Sequence, residues 1–276
     1  MEKMKKYFGE FEMTWPRVII FAVITAVITA GLNVIPALED TSFQDIAIAF
    51  DCWFLFAMIV IMNCDKWWEA SLKTFVFFLI SQPLIYLIEV PFKSAGWSLF
   101  GYYRYWFIMT VLTLPGAAVA FLVKKKNWLS VAVLSVATGY LTYASVNYFY
   151  TAVARFPHHL ISCVFCLALA LFFVFVLLDD KKHRLAALAV IIALLIAFAI
   201  ILKPVRTQEL LLGDGEWTAD VANESVATAE IVDGNRVVIH AEGEGNTLMT
   251  FKNADGSVSE YDITVLRGSL FASPIG

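Results

Sequence analysis

RLAALAVIIALLIAFAIIL, residues 184–202, carries no polar side chain between its first residue and its last. A helix needs roughly 20 apolar residues to cross bilayer hydrocarbon, so this segment predicts a membrane span. It has nothing with which to line a path or hold a ligand, and its expected work is tethering. What it tethers comes next. After Lys203, Pro204 and Val205 the chain turns acidic and Gly-punctuated through to residue 276.

Upstream the chain is apolar almost throughout. Of the 276 residues 60% are hydrophobic and 16% charged, with 23 phenylalanines, far from the average soluble composition. Further spans are expected near residues 17–36, 44–63, 74–91, 104–123, 128–149 and 158–178. At this length only helices satisfy the backbone in lipid. The fold class is therefore a mainly α, seven-span helical bundle followed by a small β-domain. The expected divisions are 1–183 (six-span core), 184–202 (seventh span) and 203–276 (exported β-sandwich).

Loop charge sets the orientation. One set of connections carries Lys3, Lys5, Lys6, Arg17, Lys66, Lys73, Lys124, Lys125, Lys126, Lys181, Lys182 and Arg184; the alternate set carries Lys93, Arg104 and Arg155. The positive-inside rule then predicts an N-terminus inside and a C-terminus outside. Trp15, Trp67, Trp68 and Trp128 fall near the inner interface, and Trp97 and Trp106 near the outer one. A seven-helix receptor has the opposite orientation, and the seventh span has no lysine for a retinal. The first span lacks a small-residue cleavage site and is expected to stay as a signal-anchor.

Charge also divides by region. Residues 1–202 hold 15 basic and 12 acidic side chains, net +3, and residues 203–276 hold 5 and 12, net −7. So acidic a domain is a poor binder of nucleic acid or anionic headgroups; its expected partner is an envelope protein or glycan, while the bundle meets membrane lipid. Cys52, Cys64, Cys163 and Cys166 lie in or beside the spans, so no disulfide framework is expected outside. No cofactor or metal is implied.

In the C-terminal part Asp214-Gly215, Asp233-Gly234 and Asp255-Gly256, with a Gly243–Asn246 break, separate runs at 216–222, 226–232, 236–241, 247–252 and 258–266. Short runs with Asp-Gly turns predict a small antiparallel sandwich. The stretches Asn223 to Ala227, Gly245 to Thr247, Asp255-Gly256 and Ile263 to Val265 carry a resemblance: residues 217–265 resemble the group-2 bacterial immunoglobulin-like domains common on Gram-positive surface proteins. That resemblance implies an adhesive or spacer module without catalysis. The bundle as a whole resembles multi-pass membrane proteins of Gram-positive bacteria, which implies the cytoplasmic membrane as its compartment.

Polar residues in the spans form stripes: Thr25, Thr29 and Asn33; Gln82, Tyr86 and Glu89; Ser135, Thr138, Thr142 and Ser145, with Tyr140, Tyr143 and Asn147 around them. Lipid cannot satisfy such groups, so these faces are expected to turn inward. Asp51 lies about 10 Å below the outer interface at 1.5 Å per residue. A carboxylate at that depth must be protonated, paired or facing water, and Arg104 is its expected partner. Ionisable groups gather in the outer half. Asn33, Asp51, Gln82, Tyr86, Glu89, Arg104, Asn147, Arg155 and His158 are therefore expected to line a polar pocket opening outward. His158 and His159 point about 100° apart on a helix, so one of them at most faces it. Pro83 and Pro115 near mid-membrane predict kinks.

Three readings stay open. A non-enzymatic envelope protein presenting an Ig-like module for scaffolding, adhesion or sensing is preferred. A transporter, flippase or lipid and small-molecule binder uses the outward pocket. An intramembrane enzyme acts on lipid-linked envelope precursors, with Asp51 or Glu89 as acid or base and Arg104 or Arg155 holding phosphate.

Overall fold

The computed structural model describes residue 8 and residues 12–38, 41–93, 96–154, 157–233 and 235–275. Eight helices occupy the N-terminal part of the described residues: α1 Trp15–Val34, α2 Ser42–Ile48, α3 Phe50–Met62, α4 Trp67–Glu89, α5 Phe100–Ala120, α6 Trp128–Ala154, α7 Leu160–Leu177 and α8 Lys181–Ile201. Six of the resulting rods are long and apolar enough to cross a membrane, and the bent pair α2–α3 makes a seventh. By contacts the chain divides into two units, Met1–Tyr148 with His158–Phe198, and Phe149–Pro157 with Ala199–Gly276.

The expected continuous span 44–63 is corrected. It is two half-helices meeting at 49° across Ala49, whose backbone is extended. The break frees the last carbonyls of α2, and two donors take them up: the Ala49 N–H bonds the Asp45 carbonyl at 2.8 Å, and the Trp53 indole bonds that of Ala47 at 3.2 Å. Lys73 is corrected too. It sits in the second turn of α4, not in a loop, where it is buried, pairs with Glu69 and lies 5.8 Å above the Trp15 ring. An i, i+4 acid and an aromatic face give the ammonium somewhere to reside. Lys3, Lys5, Lys6 and Arg155 fall outside the described residues.

α1 buries Ala22, Ala26 and Ala30, all without solvent exposure. Small residues every four positions let helices approach closely where no hydrophobic effect drives them together. Aromatic rings fill the space between: Phe21 lies 5.0 Å from Phe77, and Trp53 lies 5.5 Å from Phe56 and 5.7 Å from Phe78. α4 and α5 run through Pro83 and Pro115 without ending. Beside Pro115 the Ser71 hydroxyl donates to the Leu114 carbonyl at 2.5 Å, a side-chain bond between α4 and α5. At the Lys124–Trp128 connection Lys126 pairs with Asp179, and this ammonium holds the Asp179 carboxyl below its usual range. α8 is the least packed span, with 11% of its apolar window buried.

The second unit contains two antiparallel sheets, β1-β4-β3 and β2-β5-β6-β7. The strands are β1 Thr207–Leu211, β2 Trp217–Val221, β3 Ala227–Asp233, β4 Arg236–Ala241, β5 Gly245–Asn253, β6 Val258–Leu266 and β7 Ser269–Ile275. Val237 and Ile239 of one sheet meet Met249, Phe251, Ile263 and Val265 of the other, all buried. Alternate residues of β5 are buried, the period of a strand with one wet face. Five strands match the expected runs; β1 and β7 are additional. β6 and β7 are joined by Arg267-Gly268, both at positive φ, the backbone of a two-residue type I′ turn. Gly215 is fixed by close approach, since a Cβ there would stand 2.4 Å from the Asn253 side chain. The Asp233-Gly234 turn includes a residue outside those described.

Candidate functional site: a buried polar cluster at a broken helix

Most of the expected polar stripes are satisfied within their own helices. Thr25 bonds the Phe21 carbonyl, Ser135 that of Val131, Thr138 that of Leu134 and Thr142 that of Thr138, all at 2.7–3.0 Å. Such hydroxyls contribute no open lining. Ser145 is the exception, donating across to the Cys163 carbonyl on α7 at 2.9 Å.

Two polar groupings sit in the bundle at the end where α1, α4 and α6 finish. In the first, Asn33 of α1 donates to Glu89 of α4 at 2.6 Å and accepts from Gln44 of α2 at 2.9 Å. Asn33 thus fills one acceptor of the buried carboxyl, and Gln44 fills the acceptor of Asn33 itself. Gln82, one to two turns earlier on α4, is buried with its Nε2 outside hydrogen-bond geometry. Tyr86 packs against the rings of Phe100 and Tyr103.

The second grouping surrounds the Ala49 break. Asp45 of α2 lies 2.6 Å from His159 Nδ1 and accepts from the Ser162 hydroxyl at 2.7 Å. Ser162 also accepts no further burden from lipid, because its N–H and hydroxyl both reach Ser42, at 3.3 and 3.4 Å. His159 is the N-cap of α7, buried and at φ +64. Histidine is among the few non-Gly residues enriched in that region, which still costs about 1 kcal/mol. The Asp45 carboxylate and the Tyr148 ring, stacked at 6.4 Å and 8°, hold it there.

Asp51 stands in the first turn of α3, on the other side of the break. It has no solvent exposure, and neither carboxyl oxygen meets hydrogen-bond geometry. The Cys166 thiol, the Tyr148 hydroxyl and Asp45 face it. The expected Arg104 pairing is corrected: Arg104 is exposed on α5 and is not among the groups around Asp51. The reason lies in α5, which begins at Phe100 and turns Arg104 to its outer face. His158 is exposed while its neighbour His159 is buried; Asn147 is half-buried; Arg155 lies outside the described residues.

The bundle also holds a cavity of about 700 Å³ between α3, α4, α5 and α6, walled by Phe50, Phe54, Phe78, Trp106 and Met109. Thr74 on its wall is buried with its hydroxyl outside hydrogen-bond geometry. Among the described residues no three His, Cys, Asp or Glu side chains group as metal ligands.

Asp45, His159 and Ser162 were not singled out together from the sequence. The pair is 114 residues apart, and the only local signal was a carboxylate and a histidine each beside an apolar run. Comparison with known families finds one match: residues 217–266, β2 through β6, are similar to the family described as "Pilus formation protein N terminal region". No curated protein and no solved structure gives a significant match to the chain.

Proposed function

We propose that this chain is a multi-pass protein of the bacterial cytoplasmic membrane, N-terminus inside, which presents an immunoglobulin-like sandwich outside for assembly with another envelope component. The observation that carries the reading is the order of elements: an apolar, little-packed span, α8, leads straight into a sandwich whose β2–β6 resemble a domain of pilus formation proteins. A domain of that family in a protein of this build supports a docking or assembly role in the envelope, of the kind pili and secretion machinery need. The net charge of −7 on residues 203–276 favours a partner with a basic face over nucleic acid or anionic lipid. An adhesive or spacer role, as in group-2 immunoglobulin-like domains, is the finer form of the same reading.

The test is side-specific labelling of Ser257→Cys, at the exposed β5–β6 turn, in a chain whose four native cysteines are replaced. A membrane-impermeant maleimide should label it in intact cells. Labelling that requires lysis overturns the orientation and with it the presentation. Photocrosslinking from the same turn should then give one discrete product with an envelope protein.

A second reading, a small-molecule or lipid binder or transporter, is favoured by the unpartnered Asp51 beside a broken span and by the neighbouring 700 Å³ cavity. Half-helices that meet at a buried polar site are a transporter arrangement. The enzyme reading loses one of its two candidate phosphate-holding arginines, since Arg104 does not face Asp51, and Arg155 lies outside the described residues.

A further inference from the structure

A carboxylate in hydrocarbon has three ways to exist: protonated, paired with a cation, or wetted. For Asp51 the structure removes two of them. It has no solvent exposure, and among the described residues no cationic group faces it. The groups that face it come from every packed element: Asp45 from α2, Cys52 from its own helix, Tyr140 and Tyr148 from α6, and Cys166 from α7, with Cys163 one turn earlier. All of these become negative, not positive, when they ionise. Among the described residues His159 can carry positive charge beside this site, and Asp45 engages it at 2.6 Å. Asp45 thus has a cationic partner available, and no cation among the described residues faces Asp51.

We propose that Asp51 is a proton-binding carboxyl of the bundle, loaded and emptied through the Asp45–His159 pair. Three rings lead from the surface toward Asp51. His158 is exposed, its ring 6.4 Å from that of His159; His159 stacks on Tyr148; and the Tyr148 hydroxyl faces Asp51. Loading moves one proton. One proton leaves the His159 imidazolium and one arrives on Asp51, where the Tyr148 hydroxyl, which faces Asp51, gives up its own and takes another. Imidazole and phenol end neutral, and a carboxylate has become a carboxylic acid.

The placement gives this transfer a structural consequence. Asp45 and Asp51 lie on opposite sides of the 49° break at Ala49. Moving the proton therefore neutralises the carboxylate of one half-helix and removes the cation paired with the carboxylate of the other, on either side of the break. This goes beyond the presentation of the sandwich, and it gives the bundle an activity of its own.

The test is infrared difference spectroscopy of the full chain in lipid nanodiscs, with carbon-13-labelled aspartate, between about pH 5 and 8. A carboxylic-acid carbonyl band should be present at the acid end, shrink as the pH rises, and vanish in Asp51→Asn. In Asp51→Glu the band should move in frequency but still titrate, which keeps the assignment secure if the Asn variant does not fold. His159→Gln should retain the band and slow its exchange by tenfold or more, or displace its midpoint by about one pH unit. A band that stays constant throughout overturns the proposal by showing a permanently neutral structural acid. No Asp51 band at any pH overturns it as well, and so does a band abolished by sodium but not potassium chloride, which assigns the site to a metal cation. Side-specific labelling of the sandwich reads none of these outcomes, so the two proposals fail separately.

Discussion

Asp51 shows how far one residue could be read. Its depth in an apolar run was enough to mark it as costly, because hydrocarbon offers an isolated carboxylate nothing. What compensates it was not legible, because the relevant neighbours, Tyr148 and Cys166, come from helices about a hundred residues away. Nor was the Asp45–His159 pair, which depends on a helix break placing Asp45 against the N-cap of α7. Removing one partner of a buried pair leaves the other without compensation, a loss of about 3 kcal/mol. Asp45→Ala should therefore destabilise the detergent-solubilised chain by roughly that amount in denaturant titrations, and Ser162→Ala by about 1 kcal/mol. An Asp45→Ala variant as stable as the parent would show that the pair contributes nothing to the fold. In the sandwich, Asp255 accepts from the Ser257 hydroxyl at 2.7 Å and from its N–H at 2.8 Å, and these bonds hold its carboxyl below the usual range. A depressed acid stabilises above its unfolded pKa, about 3.9, and loses that contribution as the pH falls through the folded value. The Ser257 amide should thus exchange faster, relative to neighbouring amides, only below about pH 4. The β5–β6 turn loosens at that end of the scale and not in the neutral range.

The elements were legible in proportion to how local their causes are. Long apolar runs and Asp-Gly turns announce themselves, and the spans and five strands were found from them. β1 escaped because it follows the last span after only a few residues, and β7 because Arg267-Gly268 is a turn without an Asp or Asn before its glycine. The break at Ala49 escaped because nothing in the run from Phe43 to Met62 is a helix breaker; the half-helices are separated by the hydrogen bonds of Asp45 and Trp53. The two turn glycines make different predictions. Gly268→Val puts a β-branched side chain at φ +71 and should cost about 1–2 kcal/mol. Gly215→Ala brings a methyl to 2.4 Å from Asn253, so it must also displace the side chain that bonds the Asp214 carbonyl, and it should cost more. Limited proteolysis of the full chain should rank cleavage of the sandwich as Gly215→Ala over Gly268→Val over parent. Equal protection of all three would show that neither turn limits the stability of the domain.

The molecule joins two folds held together by different physics. The bundle packs small residues and aromatic rings, since surrounding lipid is as apolar as its own core. The sandwich closes Val237, Ile239, Met249, Phe251, Ile263 and Val265 between two sheets, and its driving force is the removal of those side chains from water. Each has a buried core of its own, so each should fold without the other. The sandwich is also small and has no cysteine, and a domain of that size buries a modest share of its surface and is marginally stable. These two facts predict the unfolding of the full chain in detergent. Tryptophan fluorescence from Trp217, with the seven bundle tryptophans replaced by Phe, should lose its buried signal at lower denaturant than the helical circular dichroism does. A fragment spanning residues 203–276 should reproduce the first transition at the same midpoint, and deletion of 204–276 should leave the second where it was. Phe251→Ala should lower the first by about 3–5 kcal/mol, enough to unfold a marginal domain, without moving the second. One shared transition, or a fragment that never folds, would mean that the sandwich takes its stability from the bundle, and it could not then serve as a freestanding module offered to a partner.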